Sequence, residues 1–322
     1  MEILRDKDID SSPLDGKRVA VLGFGNQGRA QALNLADSGI DLVIGLRAGS
    51  SSEAEVRAAG LEVAELGEAV AGADLVMLLA PDETLGDLYK TIEPRFRLGA
   101  ALGFSHGLAV RFGLVEPRAD LDVFMVAPKG PGTALRSLYE DGRGMVALWA
   151  VEQDRSGRAR EIALAYGKAI GCARAGLIAS SFAEECEADL FNEGAVVWGA
   201  VPDILVAGFD TLIEAGVSPE VAYLECVGEL KLIAELIEAR GIAGMREAIS
   251  NTAELGAVLG GAHIVDDSVR ARMREVLEDV RSGRFARRLG EEAASGYPLL
   301  RAARARARKL AVEQAREKLA EL

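Results

Sequence analysis

The sequence predicts two domains of different class, a doubly wound α/β domain followed by an all-helical one, with the boundary near residue 181. Three observations predict this. Up to about Ala179, short apolar runs alternate with helical segments. A glycine-rich turn joins the first well-formed run to the helix after it. Beyond Ser180 the strand signals fade and long helical patterns take over.

Residues 1–13 are polar and charged, without the apolar core of a signal peptide. The apolar runs at 19–22, 42–45, 75–79, 101–104, 123–126 and 146–151 are each bounded by Gly, Pro or Asp. They read as strands. Segments 30–37, 53–59 and 158–169 read as helices between them. That alternation predicts a parallel sheet covered on both faces. In the second half, helices are expected to break at Pro202, the 216–219 turn, Gly241, Gly260 with Gly261, and 296–298. The apolar stretch 194–209 is interrupted by Pro202 and Asp203 and reads as buried helices of a soluble core, not a membrane span.

Composition narrows the function classes. The 322 residues are 49% hydrophobic, ample for two cores. A net charge of -13 repels phosphate backbones and argues against nucleic-acid binding. The one basic run, with Arg301, Arg304, Arg306, Arg308 and Lys309, has acidic neighbours and reads as a solvated or subunit-facing helix. Cys172, Cys186 and Cys226 are widely spaced with no CxxC, which fits a reducing cytoplasm.

The run at 19–22 leads into Gly23-Phe24-Gly25-Asn26-Gln27-Gly28 and then a helix. In a dinucleotide fold the first glycine allows the tight turn and the second lets backbone approach a pyrophosphate. The third lets helix and strand pack closely. The first domain is therefore Rossmann-like. After the second strand comes Leu46-Arg47-Ala-Gly-Ser50-Ser-Ser52, where an NAD-preferring domain usually offers an acid to the ribose. Arg47 with Ser50 and Ser52 suits a 2′-phosphate, which favours NADP. Asp82 and Gly132 are included in the expected cofactor-binding set.

Two acid pairs stand four residues apart, Asp189 with Glu193 and Glu225 with Glu229. That spacing puts each pair on one helix face. Ala222, Glu225, Cys226, Glu229, Leu232, Ile233 and Leu236 share one stripe, expected to point inward. Like charges so placed repel, and a divalent cation or two between the pairs removes the conflict; two solvated helix faces are the alternative. Oxygen-only donors suit Mg or Mn. His106 and Lys129 each follow a predicted strand, at the end where parallel sheets bind ligands. His106 is a candidate for proton work and Lys129 for aiming a cation at an anionic substrate; a turn histidine remains the alternative for the former. His263 reads as a surface or linker residue.

These pieces, in this order, closely resemble the short form of ketol-acid reductoisomerase over nearly the whole chain. The most specific marks are Gly23 to Gly28, Met125-Val-Ala-Pro-Lys129-Gly-Pro-Gly132, Asp189-Leu-Phe-Asn-Glu193, Glu225-Cys-Val-Gly-Glu229-Leu-Lys-Leu-Ile233 and Ile249-Ser250-Asn-Thr-Ala-Glu254. The resemblance implies a Rossmann domain, residues 1–181, and a knotted all-helical domain, residues 182–322, intertwined with a second subunit. It implies NADPH and two Mg ions. Asp189 would bridge the metals and Glu193 would complete one set. Glu225 and Glu229 would reach in from the other subunit. His106, Lys129 and Glu229 would lie at the reacting centre, and Ser250 would hold the substrate carboxylate. The implied reaction is an alkyl shift in 2-acetolactate or 2-aceto-2-hydroxybutyrate, then reduction to a 2,3-dihydroxy acid. The implied pathway leads to valine and isoleucine, and the minimum unit is a homodimer.

Some positions depart from the family pattern. Histidines are usual where this chain has Arg29, Gln31, Thr133 and Gly228, serine where it has Asn26, and glutamine where it has Gly194. His106 is followed by Gly-Leu-Ala-Val in place of Gly-Phe-Asn-Ile. Two other readings therefore stay open. One is a divergent relative reducing another small keto or imino acid without isomerisation. The other is a non-catalytic NADP-binding paralogue.

Overall fold

The computed structural model describes residues 2–320. Contacts divide the chain into two compact units, Met1–Ala188 and Asp189–Leu322.

The first unit is built on nine strands. They are β1 (Ile3–Leu4), β2 (Arg18–Leu22), β3 (Asp41–Leu46), β4 (Glu62–Glu65), β5 (Leu75–Leu78), β6 (Ala101–Phe104), β7 (Asp122–Pro128), β8 (Ala147–Gln153) and β9 (Leu177–Ala179). Their order in the sheet is β1-β9-β8-β7-β6-β5-β2-β3-β4. From β4 to β7 every pairing is parallel. The chain winds outward from β2 to β3 and β4, then returns to β5 on the other side of β2. That reversal opens the crevice where such sheets take ligands.

Period-two alternation explains the two cores. Val19 and Val21 point into one layer with Leu35 and Tyr166. Ala20 and Leu22 point into the other with Val70, Tyr89 and Ile92. These four of the five residues of β2 are fully buried. Each large side chain so buried contributes about 1.5–3 kcal/mol. The first layer is covered by α1 (Asn26–Asp37), α6 (Gly132–Glu140) and α7 (Ala159–Ala169). The second is covered by α3 (Leu66–Gly72) and α4 (Leu85–Ile92). Two short helices, α2 (Glu53–Ala58) and α5 (Leu108–Arg111), complete the set.

The sheet corrects the all-parallel expectation. β8 runs antiparallel to β7, β9 is parallel to β8, and β1 closes the edge antiparallel to β9. An apolar run tells which faces are buried. Its direction depends on the connection before it. β1, β4 and β9 carried no strand signal because they are short and lie toward the edges. The N-terminal segment is anchored by β1 and by Lys168, whose Nζ donates to the carbonyls of Asp6 (2.9 Å) and Ile9 (2.7 Å).

The described residues of the second unit contain helices and no strand. α8 (Phe182–Ala195) carries the chain from one unit into the next. It is followed by α9 (Ala200–Glu214), α10 (Pro219–Tyr223), a π-helical stretch (Leu224–Gly228) and α11 (Leu230–Ala248). Then come α12 (Asn251–Ile264), α13 (Asp267–Arg281), α14 (Arg284–Ala294), α15 (Pro298–Ala307) and α16 (Ala311–Leu319). Phe209, Ala222, Val312 and Ala315 form a small core.

Two expected breaks move. Pro202 lies in the first turn of α9, where its missing N–H costs nothing. Gly260 and Gly261 lie inside α12, so His263 is an exposed residue of that helix and not of a linker. Glycine weakens a helix by about 1 kcal/mol but does not bar it. Gly241 does interrupt α11, with φ of 68°. The stretch 194–209 is not the buried core expected. Trp198 is 66% exposed, and Val197 and Ile204 are also exposed. Residues 182–214 are long and apolar enough to cross a membrane by composition. They fold as two helices parted by a turn, and α8 carries Glu184, Glu185, Glu187, Asp189 and Glu193, a costly set for hydrocarbon.

Candidate active site

The glycine loop is shaped as its spacing requires. Gly23 has φ of 107°, and a Cβ there would sit 2.7 Å from the Leu79 carbonyl oxygen. A Cβ on Gly28 would strike the Gly23 carbonyl, so helix α1 is pressed onto the loop. Gly25 between them faces open space. The first turn of α1 closes with Arg29 N–H donating to the Gly25 carbonyl at 2.9 Å. The amides ahead of it form a helix N-terminus suited to phosphate. Phe24 is buried beneath, and Asn26 is exposed.

The loop after β7 is bolted to this one. Gln27 donates from Nε2 to the Gly130 carbonyl at 2.9 Å. A Cβ on Gly132 would overlap the Asn26 carbonyl and lie 2.5 Å from Asn26 Oδ1. Arg47 is exposed past the end of β3. Ser50 Oγ accepts from the Ser52 N–H at 3.3 Å, and Ser52 opens α2. The loop therefore presents a cation and hydroxyls at the sheet's carboxyl end, where a ribose would lie.

His106 and Lys129, 23 positions apart in the chain, meet on one carboxylate that the sequence reading did not single out. Glu185 Oε1 accepts from Lys129 Nζ at 2.7 Å. Its Oε2 lies 3.0 Å from His106 Nδ1 and accepts from the Gly107 N–H at 2.8 Å. Glu185 is 1% exposed. Burial alone would raise its pKa, but His106 and Lys129 outweigh that and hold it at about 2. Burial likewise pushes His106 down, and hydrogen bonds with Cys186 and Glu185, with the charges of Glu185 and Asp82, carry it well above the usual imidazole range. Glu185 is thus held as a carboxylate beneath His106 and Lys129, and its charge favours the protonated form of the imidazole. Asp82, just past β5, acts here through its charge on His106.

Local packing explains why Glu185 arrives there. Ser181 Oγ accepts from the Glu184 N–H and opens α8. Phe182 packs edge-on against Phe104 at the end of β6, with ring centroids 5.9 Å apart. Gly107 lets the helix come close, since a Cβ there would strike the Phe182 carbonyl and sit 3.1 Å from Cys186 Cβ. One signal could have found Glu185: it lies four residues before Asp189, extending the stripe of Asp189 and Glu193 by a turn.

In the second unit, Asp189 is half-buried and Glu193 exposed on α8. Glu225 lies inside the π-helical stretch and Glu229 just after it, both exposed. The expected inward stripe is therefore corrected. Ala222 is buried, but Leu232 is 59% exposed and Ile233 is also exposed. A π turn takes an extra residue, which shifts the register on which the stripe was read. Among the described residues, Glu193, Glu225 and Glu229 join no convergent group of ligand atoms. Ser250 caps α12, its Oγ accepting from the Ala253 N–H at 3.2 Å.

Comparison with known proteins also divides the chain in two, with the second match beginning at residue 182, within α8 and ahead of the structural boundary. Residues 13–176 match the family model described as acetohydroxy acid isomeroreductase, NADPH-binding domain, and residues 182–322 match ketol-acid reductoisomerase, C-terminal domain. An NADH-preferring ketol-acid reductoisomerase from an uncultured archaeon is 42% identical, with a TM-score of 0.96 over 100% of this chain and 99% of that one. A semialdehyde dehydrogenase NAD-binding protein from Cupriavidus necator is 19% identical, with a TM-score of 0.62 over 83% of this chain and 99% of its own. Pyrroline carboxylate reductase from Plasmodium falciparum is 13% identical, with a TM-score of 0.53 over 84% and 98%. The last two share the fold alone. With both halves matched and a full-length relative at this identity, the chain belongs to the ketol-acid reductoisomerase family.

Proposed function

We propose that the chain converts 2-acetolactate or 2-aceto-2-hydroxybutyrate into the 2,3-dihydroxy acid with NADPH, in cytoplasmic synthesis of valine and isoleucine. The observation that supports this reading best is the pair of cations, His106 and Lys129, held on Glu185 next to the glycine loop. They can receive an anionic oxygen of a small acid, while Gly25 leaves room for a dinucleotide. A buried carboxylate bonded to both holds Lys129 and His106 in place and favours their charged forms.

The donor chemistry of Asp189, Glu193, Glu225 and Glu229 fits a hard divalent cation. Bound Mg would lower the pKa of the substrate hydroxyl and polarise its neighbouring carbonyl, and bound NADPH would supply hydride. In one chain the four acids do not gather, and apolar residues such as Trp198, Leu232 and Leu259 are exposed. Both facts support a homodimer in which Glu225 and Glu229 of the partner subunit complete the site. NADPH is preferred here over NADH on the strength of Arg47, Ser50 and Ser52.

Four outcomes test this. Purified protein with Mg oxidises NADPH on addition of 2-acetolactate. Turnover of simple 2-keto acids alone would point to a divergent reductase, and silence with NADPH bound to a non-catalytic protein. Mg raises the melting temperature, and Glu225→Gln removes most of that rise; equal responses would clear Glu225 of metal binding. Arg47→Asp with Ser52→Asp weakens NADPH more than NADH in a fluorescence titration, and an unchanged ratio would defeat the 2′-phosphate assignment. Finally, Glu185→Gln lowers the titration midpoint of His106, followed by imidazole NMR in Mg-free protein. The chain's only other histidine is His263, so assignment is direct. The charged imidazole is stabilised by folding below its unfolded pKa near 6.5, and that stability is lost as pH rises through the elevated folded value. The variant should lose it at lower pH, and an unmoved midpoint would refute the pairing.

A further inference from the structure

Beneath the proposed reacting groups lies a second polar cluster, fully inside the first unit. Gln31 on α1 and Tyr166 on α7 are both 0% exposed. Tyr166 O–H donates to Gln31 Oε1 at 2.7 Å. Gln31 Nε2 donates to Gln27 Oε1 at 3.0 Å and to Ser105 Oγ at 2.9 Å. Gln27 Nε2 donates in turn to the Gly130 carbonyl at 2.9 Å.

The polarity of this chain is fixed at one end. A backbone carbonyl can only accept, so Gln27 must turn its NH₂ to Gly130 and its oxygen to Gln31. Gln31 must then present its own NH₂ there and its oxygen to Tyr166. Burial raises the Tyr166 pKa well above the usual phenol range, so the hydroxyl keeps the proton it donates.

The end points give the cluster its meaning. Gln27 lies inside the glycine motif. Ser105 immediately precedes His106, and Gly130 immediately follows Lys129. Each loop carrying a partner of Glu185 is therefore tied to the helix whose N-terminus faces the dinucleotide site. We propose that Gln31, backed by Tyr166, is a positioning residue that couples occupancy of the glycine loop to the alignment of His106 and Lys129. This rests on the reductoisomerase reading for its kinetic test alone. In this chain an amide meets all three partners. It offers two donors and an acceptor at one end. A neutral imidazole offers one of each, and a charged one offers no acceptor.

The test uses the full chain carrying Gln31→Met, Gln31→His or Tyr166→Phe, each compared with the parent for melting temperature, NADPH affinity, and kcat and KM with 2-acetolactate and Mg. The expected result is a kcat about ten- to hundredfold lower for the methionine variant, the scale of a misplacement near 1 Å. KM for the ketol acid stays close to the parent's, NADPH binds several-fold more weakly, and the histidine variant falls between. Variants that melt earlier yet keep parental kcat and NADPH affinity would make the cluster purely structural and overturn the proposal. So would a rise in KM with kcat unchanged. If Gln31→Met does not fold, Tyr166→Phe and Gln31→His decide by the same criteria. If the parent itself turns over no ketol acid, the functional reading fails. NADPH affinity then decides this proposal: weakening in the order Gln, His, Met supports it, and equal affinities overturn it.

Discussion

A carboxylate taken out of water must be met by donors, and Glu185 is met by three. Lys129, His106 and the Gly107 N–H come from two loops at the carboxyl end of the sheet, 56 to 79 positions away in the chain. Removing one partner from such a set typically costs about 3–5 kcal/mol, because the remaining charge stays buried. That cost holds the loops after β6 and β7 against the start of α8. The cations above the carboxylate are oriented by the same bonds that stabilise it.

The crevice around this set follows from the order of the strands. The reversal at β2 leaves the glycine loop beside the loops after β5, β6 and β7. Small residues then let backbones meet. Gly28 lies on Gly23, Gly132 on Asn26, and Gly107 on Phe182. Gly25 is free of neighbours, which is where a pyrophosphate needs space. Gln31 occupies a position where the family usually carries histidine, and its amide makes three bonds that tie the crevice walls together. The departure is thus absorbed by local hydrogen bonding and does not leave a buried polar group unmet.

The second unit has a different character. Its largest fully buried side chain is Phe209, while Leu255, Leu259, Ile242 and Ile264 are exposed in a single chain. Apolar faces of this extent ask for cover. The exposed acids Glu225 and Glu229 lie in the same unit, beside a π-helical turn of the kind that recurs at functional sites. A second copy over those faces is part of the proposal made above for the metal site.

The class of both halves, the dinucleotide loop and six of the nine strands are legible in the sequence, which also nominates the acids of the proposed metal site. These signals are local. A strand followed by three spaced glycines, or acids one turn apart, is read within a dozen residues, because backbone geometry sets the spacing. The rest depends on packing between distant segments. The reversed direction of β8, the seating of Glu185 under His106 and Lys129, and the Gln31–Tyr166 bond join residues far apart in the chain. A periodic stripe marks a face but does not say what covers it, so the stripe of Glu225 and Glu229 reads as interior in the sequence and is exposed in a single chain. Burial and hydrogen-bond partners are properties of what arrives from elsewhere, and no window along the chain contains them.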